Sequence, residues 1–215
     1  MPDNLFSHVA FWVFDLDNTL YPPEARLFDQ IEAKMTQYVM NALAIPRPEA
    51  DRLRRAYYSK YGTTLAGLMQ EHGIDPLPYL TDVHEISLVK LIPDLQLRSG
   101  ISALPGRKIV YTNGSAPYAE RVLAARGLDG IFDAVYGVEH ADFHPKPDRR
   151  AFECVFARDR LDAAKGAMFE DDSRNLAVPH ALGMRTIHVA PTPDGAAHVQ
   201  HHTTDLTAFI AGLTG

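Results

Sequence analysis

At 215 residues, 46% of them hydrophobic and 22% charged, the chain is long enough for one large domain, or for one domain with a modest insertion. Its formal net charge of −6 argues against non-specific binding to a nucleic acid polymer or an anionic membrane, and no apolar run reaches the roughly 20 residues a membrane helix needs. The lone Cys154 excludes an internal disulfide and a cysteine-based zinc site; Met1-Pro2-Asp3-Asn4 lacks the regions of a signal peptide, so a cytoplasmic location is expected.

Val9 to Phe14 reads as a first, buried strand, because aromatic and β-branched residues suit a pleated interior. It runs into Asp15-Leu16-Asp17-Asn18-Thr19. From Pro22 to about Ser99 the pattern is helical, with no convincing strand. Phe28, Ile31, Met35, Tyr38, Val39 and Leu43 recur at helical spacing, as do Leu53, Ala56 and Tyr57, then Leu65, Leu68 and Met69. Pro46, Pro48, Pro76 and Pro78 divide this block into separate helices. A block this long exceeds an ordinary crossover and reads as an inserted helical cap. The expected division is therefore a core of residues 1–20 and 100–215 and a cap of residues 21–99.

Beyond the cap, strands are expected at Lys108–Tyr111, Ala134–Val138, Ala167–Phe169 and Thr186–Val189. Helices are expected over Ala116–Arg126, Asp148–Arg158 and Ser173–Leu182, two of them followed by glycines (Gly127, Gly183) at the usual left-handed stop. Strands alternating with helices imply an α/β fold with a doubly wound parallel sheet. His198, His201 and His202 fall in a polar stretch after Pro191-Thr192-Pro193 and read as a solvated tail rather than a metal site.

Four segments carry the polar chemistry. Asp15 and Asp17 follow the first strand, Thr112 and Asn113 the second, Lys146 precedes a helix in His144-Pro145-Lys146-Pro147, and Asp171 and Asp172 follow the fourth strand. Taken singly, Thr112-Asn113-Gly114 is an ordinary turn, Asp172 a helix cap and Lys146 a surface lysine. Taken in order, all of them converge at one edge of a parallel sheet. That set has the parts for phosphoryl transfer: Asp15 as nucleophile, Asp17 as general acid and then base, and Lys146, Thr112 and Asn113 as positive charge and neutral donors for the phosphoryl oxygens. The acidic cluster of Asp15 with Asp172 suits Mg²⁺, without which the carboxylates would repel each other and the incoming phosphate.

Asp15-Leu16-Asp17-Asn18-Thr19, Thr112, Lys146 and Glu170-Asp171-Asp172-Ser173 resemble, in order, the four motifs of the haloacid dehalogenase-like hydrolase superfamily. The resemblance covers nearly the whole chain and implies a Rossmann-like core, Mg²⁺ dependence and a mobile helical cap after the first motif. It implies Asp15, the backbone carbonyl of Asp17 and Asp172 as metal ligands, with Asp171 a second or water-mediated one. True dehalogenases of the superfamily lack a carboxylate at the position of Asp17, so phosphate ester chemistry is expected; mutases share these residues and stay open. Asp15 to Tyr21-Pro22, Tyr111-Thr112-Asn113-Gly114 and the segment Tyr57–Leu68 resemble the pyrimidine 5′-nucleotidase subfamily. That implies a small phosphorylated metabolite as partner, a nucleoside monophosphate above all, with Tyr58 and Tyr61 as base-stacking candidates against the alternative that they pack cap helices. Other readings are a sugar-phosphate phosphatase or mutase, or a non-enzymatic binding protein that keeps the fold.

Overall fold

The computed structural model describes residues 4–214; Met1 to Asp3, read above for a signal peptide, lie outside the described residues. In chain order the elements are β1 (Phe11–Phe14), the cap helices α1 (Leu27–Leu43), α2 (Arg47–Tyr61), α3 (Thr64–His72) and α4 (Pro76–Val83), then α5 (Leu95–Ala103), β2 (Arg107–Tyr111), α6 (Ala116–Ala125), β3 (Ala134–Tyr136), α7 (Arg149–Asp159), β4 (Gly166–Glu170), α8 (Ala177–Ala181), β5 (Arg185–Val189), β6 (His201–Thr203) and α9 (Leu206–Thr214). The six strands form one parallel sheet in the order β3-β2-β1-β4-β5-β6. The chain winds outward from β1 through β2 to β3, then returns to start again at β4 on the other side. The reversal lies between β1 and β4, where open α/β sheets leave a crevice for ligands.

Alternation along the four central strands, β2, β1, β4 and β5, buries both faces. Val13, Ile109, Tyr111 and Met168 join Phe152, Val155 and Phe156 of α7 in one cluster. Trp12, Phe14, Val110 and Phe169 face the opposite way, toward α5, α6 and α9. The Phe14 and Phe169 rings stack at 4.7 Å across the β1–β4 pair, directly below the reversal.

The cap has its own core, built on Val39, Ala50, Tyr57, Leu65, Leu68, Tyr79, Leu80 and Val83. Gly67 sits so close to Tyr57 that a Cβ there would lie 2.2 Å from the ring, so the glycine permits the α2–α3 contact. Helix α1 spans both cores: Leu27 and Ile31 pack in the sheet's cluster, Val39 in the cap's.

Three expectations need correction. Helix α5 packs Leu97 and Ile101 into the sheet's cluster, so a boundary at residue 99 cuts through a helix that covers the core. The stretch Ser173–Leu182 is a 3₁₀ turn (Ser173–Leu176) followed by the short α8. The histidine-rich tail is structured: His201 and His202 lie in β6, paired with β5, and all three histidines are partly buried. His198 Nε2 bonds Ser173 O at 2.9 Å, His202 Nε2 bonds Ala190 O at 2.8 Å, and the His201 ring packs on Phe6. Polarity marked this edge strand as a tail because its backbone pairing leaves no hydrophobic signature.

No helix among the described residues is long and apolar enough to cross a membrane.

Candidate active site

The loop after β1 begins where the ladder ends, with Asp15 N bonded to Phe169 O at 2.9 Å. Asn18 takes a left-handed conformation (φ 58°), which asparagine tolerates, and the turn sends the chain away toward the cap. Asp15 is 5% exposed, and its Oδ1 accepts a 2.6 Å bond from Lys146 Nζ. Lys146, 1% exposed, donates also to Glu170 Oε2 at 2.6 Å and to Tyr111 O at 3.1 Å. Its backbone is pinned by Asn113, whose Oδ1 accepts from Lys146 N at 2.7 Å and whose Nδ2 donates to Lys146 O at 3.0 Å. Gly62, from the α2–α3 turn, lies against the same loop with φ +86°; a Cβ there would stand 3.5 Å from Lys146 O.

Carboxylate oxygens of Asp15, Glu170 and Asp171 lie within 4.8 Å of one another, and one ammonium, Lys146, stands among them. The electrostatics follow from that imbalance. Burial, then the Glu170 charge, push Asp15 up to about 8 against the pull of Lys146. Burial pushes Glu170 up to about 7, and burial with the Asp15 charge does the same to Asp171. Burial alone would lower Lys146, but Asp15 and Glu170 outweigh it and hold the ammonium well above its ordinary value. Three crowded carboxylates with one lysine match the oxygen donor set of a hard divalent cation.

Asp17 is held differently. Its Oδ1 accepts from Tyr21 Oη at 2.5 Å and from Tyr118 Oη at 2.8 Å, and its Oδ2 lies 3.5 Å from Thr112 Oγ1. Burial raises its pKa while the two phenols oppose the rise. Thr112 Oγ1 also accepts from Gly114 N at 2.9 Å, so the hydroxyl is oriented by the turn that follows β2.

A cavity of about 520 Å³ opens over these groups. Core residues from Asp15 to Asn175 form its floor, and Phe28, Met35, Arg54, Arg55, Tyr58 and Thr64 of the cap form its roof. Asp15, Asp17, Thr112, Asn113, Lys146, Asp171, Asp172 and Tyr58 all line this space; Tyr61 does not. Tyr61 packs edge-on against Tyr57 and bonds Glu71. Tyr58 reaches across to the core instead: its hydroxyl bonds Asp172 Oδ2 at 3.2 Å and accepts from Arg174, whose guanidinium lies 4.6 Å above its ring.

Two further expectations change on this geometry. The Asp172 carboxylate is turned away from the acidic cluster: Arg174 binds it through Nε at 3.0 Å and Nη2 at 2.5 Å. Burial works against the ionised form, yet Arg174 holds the Asp172 carboxyl below its ordinary range. Asp171, bonded by Asn18 Nδ2 at 3.2 Å, stands with Asp15 in its place. Asn113 braces the Lys146 loop with both ends of its amide rather than aiming that amide at the cavity. Glu170, Tyr21, Tyr118 and Arg174 were missed as site residues. Glu170 and Tyr21 sit inside quoted motifs, but a strand's last residue and a lone tyrosine read as structure, while Tyr118 and Arg174 carry no local signal.

Phosphate metabolism protein 8 of Saccharomyces cerevisiae is 28% identical over 191 residues, covering 82% of this chain and 59% of the relative, so the chain spans about three fifths of the length of that curated relative. The HAD phosphatase from Thermococcus onnurineus superposes with a TM-score of 0.68 at 17% identity, covering 96% of this chain and 99% of that one. The HAD-hydrolase YfnB from Bacillus subtilis bound to magnesium gives 0.61 at 16% identity with the same coverage. Likeness at such identities shows the fold alone. The family model of haloacid dehalogenase-like hydrolases matches residues 12–183, most of the chain and every site segment above. The chain belongs to the haloacid dehalogenase-like hydrolase family.

Proposed function

We propose that the protein is a Mg²⁺-dependent phosphomonoesterase that works through an aspartyl-phosphate on Asp15, with pyrimidine nucleoside 5′-monophosphates as favoured substrates. The observation that carries this reading is the buried set of Asp15, Glu170 and Asp171 around Lys146, with a second carboxylate, Asp17, two residues from the first. Asp15, Asp171 and the backbone carbonyl of Asp17 would hold the metal, with Asp172 left to Arg174. The bound cation supplies positive charge that keeps Asp15 ionised and offsets the phosphoryl oxygens.

In the first step an Asp15 oxygen forms a bond to phosphorus as the bond to the leaving oxygen breaks. Asp17 gives that oxygen its proton. In the second step water attacks phosphorus, Asp17 takes its proton, and the bond to Asp15 breaks to release phosphate. Lys146 and the Thr112 hydroxyl stabilise charge that grows on the phosphoryl oxygens. The carboxylate at position 17 favours this over carbon–halogen cleavage, and the magnesium in the YfnB structure and the name of the yeast relative are consistent with it.

Nucleotide preference rests on the exposed ring surface of Phe28 and Tyr58 in the roof, 41% and 47% exposed, which suits stacking on a base. The polar part of the roof, Arg54, Arg55 and Thr64, favours a second reading, a sugar-phosphate phosphatase or mutase. Phosphate release from UMP, CMP, purine nucleotides and sugar phosphates, with and without Mg²⁺, separates these. Release from none of them rejects the phosphatase, and transfer without release favours the mutase.

A further inference from the structure

Tyr21 stands on the first crossing from core to cap, and Tyr118 in the first turn of α6; each is 1% exposed. Their rings reach Asp17 from different elements, yet both hydroxyls converge on one oxygen, Oδ1. Each phenol is buried and donates its O–H to that oxygen. Oδ2 is approached by Thr112 Oγ1 at 3.5 Å. Tyr118 is itself held in place by His84, which stacks on it at 4.4 Å with the planes 8° apart. His84 closes α4, where the chain returns from the cap, and its Nδ1 lies 3.1 Å from Ser115 Oγ. Both crossings between core and cap thus end at a support of Asp17.

We propose that Tyr21 and Tyr118 are positioning residues for the acid/base Asp17, on the reading of Asp17 given above. Two donors on Oδ1 fix the carboxyl plane and leave Oδ2 as the oxygen that carries the transferable proton. When the bond between phosphorus and the leaving oxygen breaks, the proton on Oδ2 passes to that oxygen. When water attacks the aspartyl-phosphate, Oδ2 takes the proton back. Without the phenols the carboxyl rotates, and the proton is delivered from a poorer geometry.

The test compares esters of similar size that differ in their need for a proton. p-Nitrophenolate leaves as a stable anion, whereas the benzyl alkoxide must be protonated as it departs. kcat/KM is measured with Mg²⁺ on p-nitrophenyl phosphate and benzyl phosphate for the wild type, Tyr21→Phe, Tyr118→Phe and the control Tyr136→Phe, a residue of β3 whose hydroxyl bonds Asp159 of α7 at 3.0 Å. Tyr21→Phe and Tyr118→Phe are expected to lose about tenfold or more on benzyl phosphate and about threefold or less on p-nitrophenyl phosphate, within the range of an acid/base contribution. Tyr136→Phe is expected to keep the wild-type ratio. Equal losses on both esters, or an unchanged ratio in the folded Tyr118→Phe protein, overturn the proposal and assign the tyrosines to packing. A wild type inactive on both esters overturns the phosphatase reading as well, so the two failures are distinguishable.

Discussion

The floor and the roof of the cavity are built on opposite principles. In the floor almost every polar atom has a fixed partner: Lys146 between two carboxylates, Asn113 on the Lys146 backbone, Asp17 under two phenols. In the roof, Arg55 and Tyr58 are exposed and Phe28 presents a bare ring. Rigid charge belongs where bonds are made and broken, since preorganised dipoles and charges stabilise a transition state without reorganising. Exposed aromatic and cationic surface belongs where the variable part of a substrate docks. Loss of a floor residue should therefore damage every substrate, unequally only where leaving groups differ in their need for a proton, and loss of a roof residue should discriminate by the part of the substrate that docks there.

Asp15→Asn tests the floor most severely. The near-isosteric change should keep the fold and lower phosphatase turnover on every ester by on the order of 10⁴-fold or more. Turnover near the wild-type rate would move the nucleophile elsewhere and dissolve the contrast. Exhaustive chelation should likewise abolish activity on all esters and added Mg²⁺ restore it; activity that survives chelation rejects the metal.

Lys146→Met should be costly to stability as well as to rate. It leaves Asp15 and Glu170 buried without their cation, which costs about 3–5 kcal/mol in comparable buried pairs and is read from the denaturant midpoint. The same crowding sets a pH dependence in the chelated wild type. Asp15, Glu170 and Asp171 have folded-state values of about 8, about 7 and about 7, raised above the ordinary 3.8, 4.5 and 3.8. The folded state then binds more protons than the unfolded one between those limits. What these three carboxyls contribute to stability is greatest below pH about 4 and is lost as pH rises through about 7 to 8. Denaturation of chelated protein across this window should show that decline, and Mg²⁺ should flatten it. A chelated protein that gains stability from pH 5 to 8 contradicts the crowding.

Asp171 and Asp172 are adjacent in sequence but not in environment. Asp171→Asn should raise the Mg²⁺ concentration needed for half-maximal activity by about tenfold, the scale on which a lost ligand or its support acts, and Asp172→Asn by much less. Equal shifts would return Asp172 to the metal. The smallest effect is expected in the roof. Tyr58→Ala should raise KM for UMP by about tenfold, the worth of one base-stacking contact, and change p-nitrophenyl phosphate much less. Tyr61→Phe should alter neither. A Tyr58→Ala protein that loses both esters equally would make this residue a strut between cap and core, through Asp172 and Arg174, rather than a reader of the base.

Floor and roof also differ in how far they were legible. The floor follows from topology: Asp15, Thr112 and Asp171 each follow a hydrophobic run, and parallel strands bring their carboxyl ends to one edge whatever lies between. The roof depends on helix phase. Tyr57, Tyr58 and Tyr61 look alike in the sequence, yet one is buried in the cap, one faces the cavity and one lies beside Glu71. A rotation of about 100° per residue separates these fates, and no composition reveals which face a partner will cover.

The sequence by itself determined the order of the first five strands, the parallel sheet, the helical insertion and the residues that meet at the sheet's edge, because these follow from hydrophobic periodicity and the handedness of strand crossings. Only the tertiary structure decided how neighbouring polar groups divide their work. Asp171 faces Asp15 while Asp172 turns to Arg174, Asn113 supports Lys146, and Tyr21 and Tyr118 meet on Asp17 from two distant segments. A buried charge takes the partner that three-dimensional packing places within hydrogen-bond reach, and that partner need not be near it in the chain.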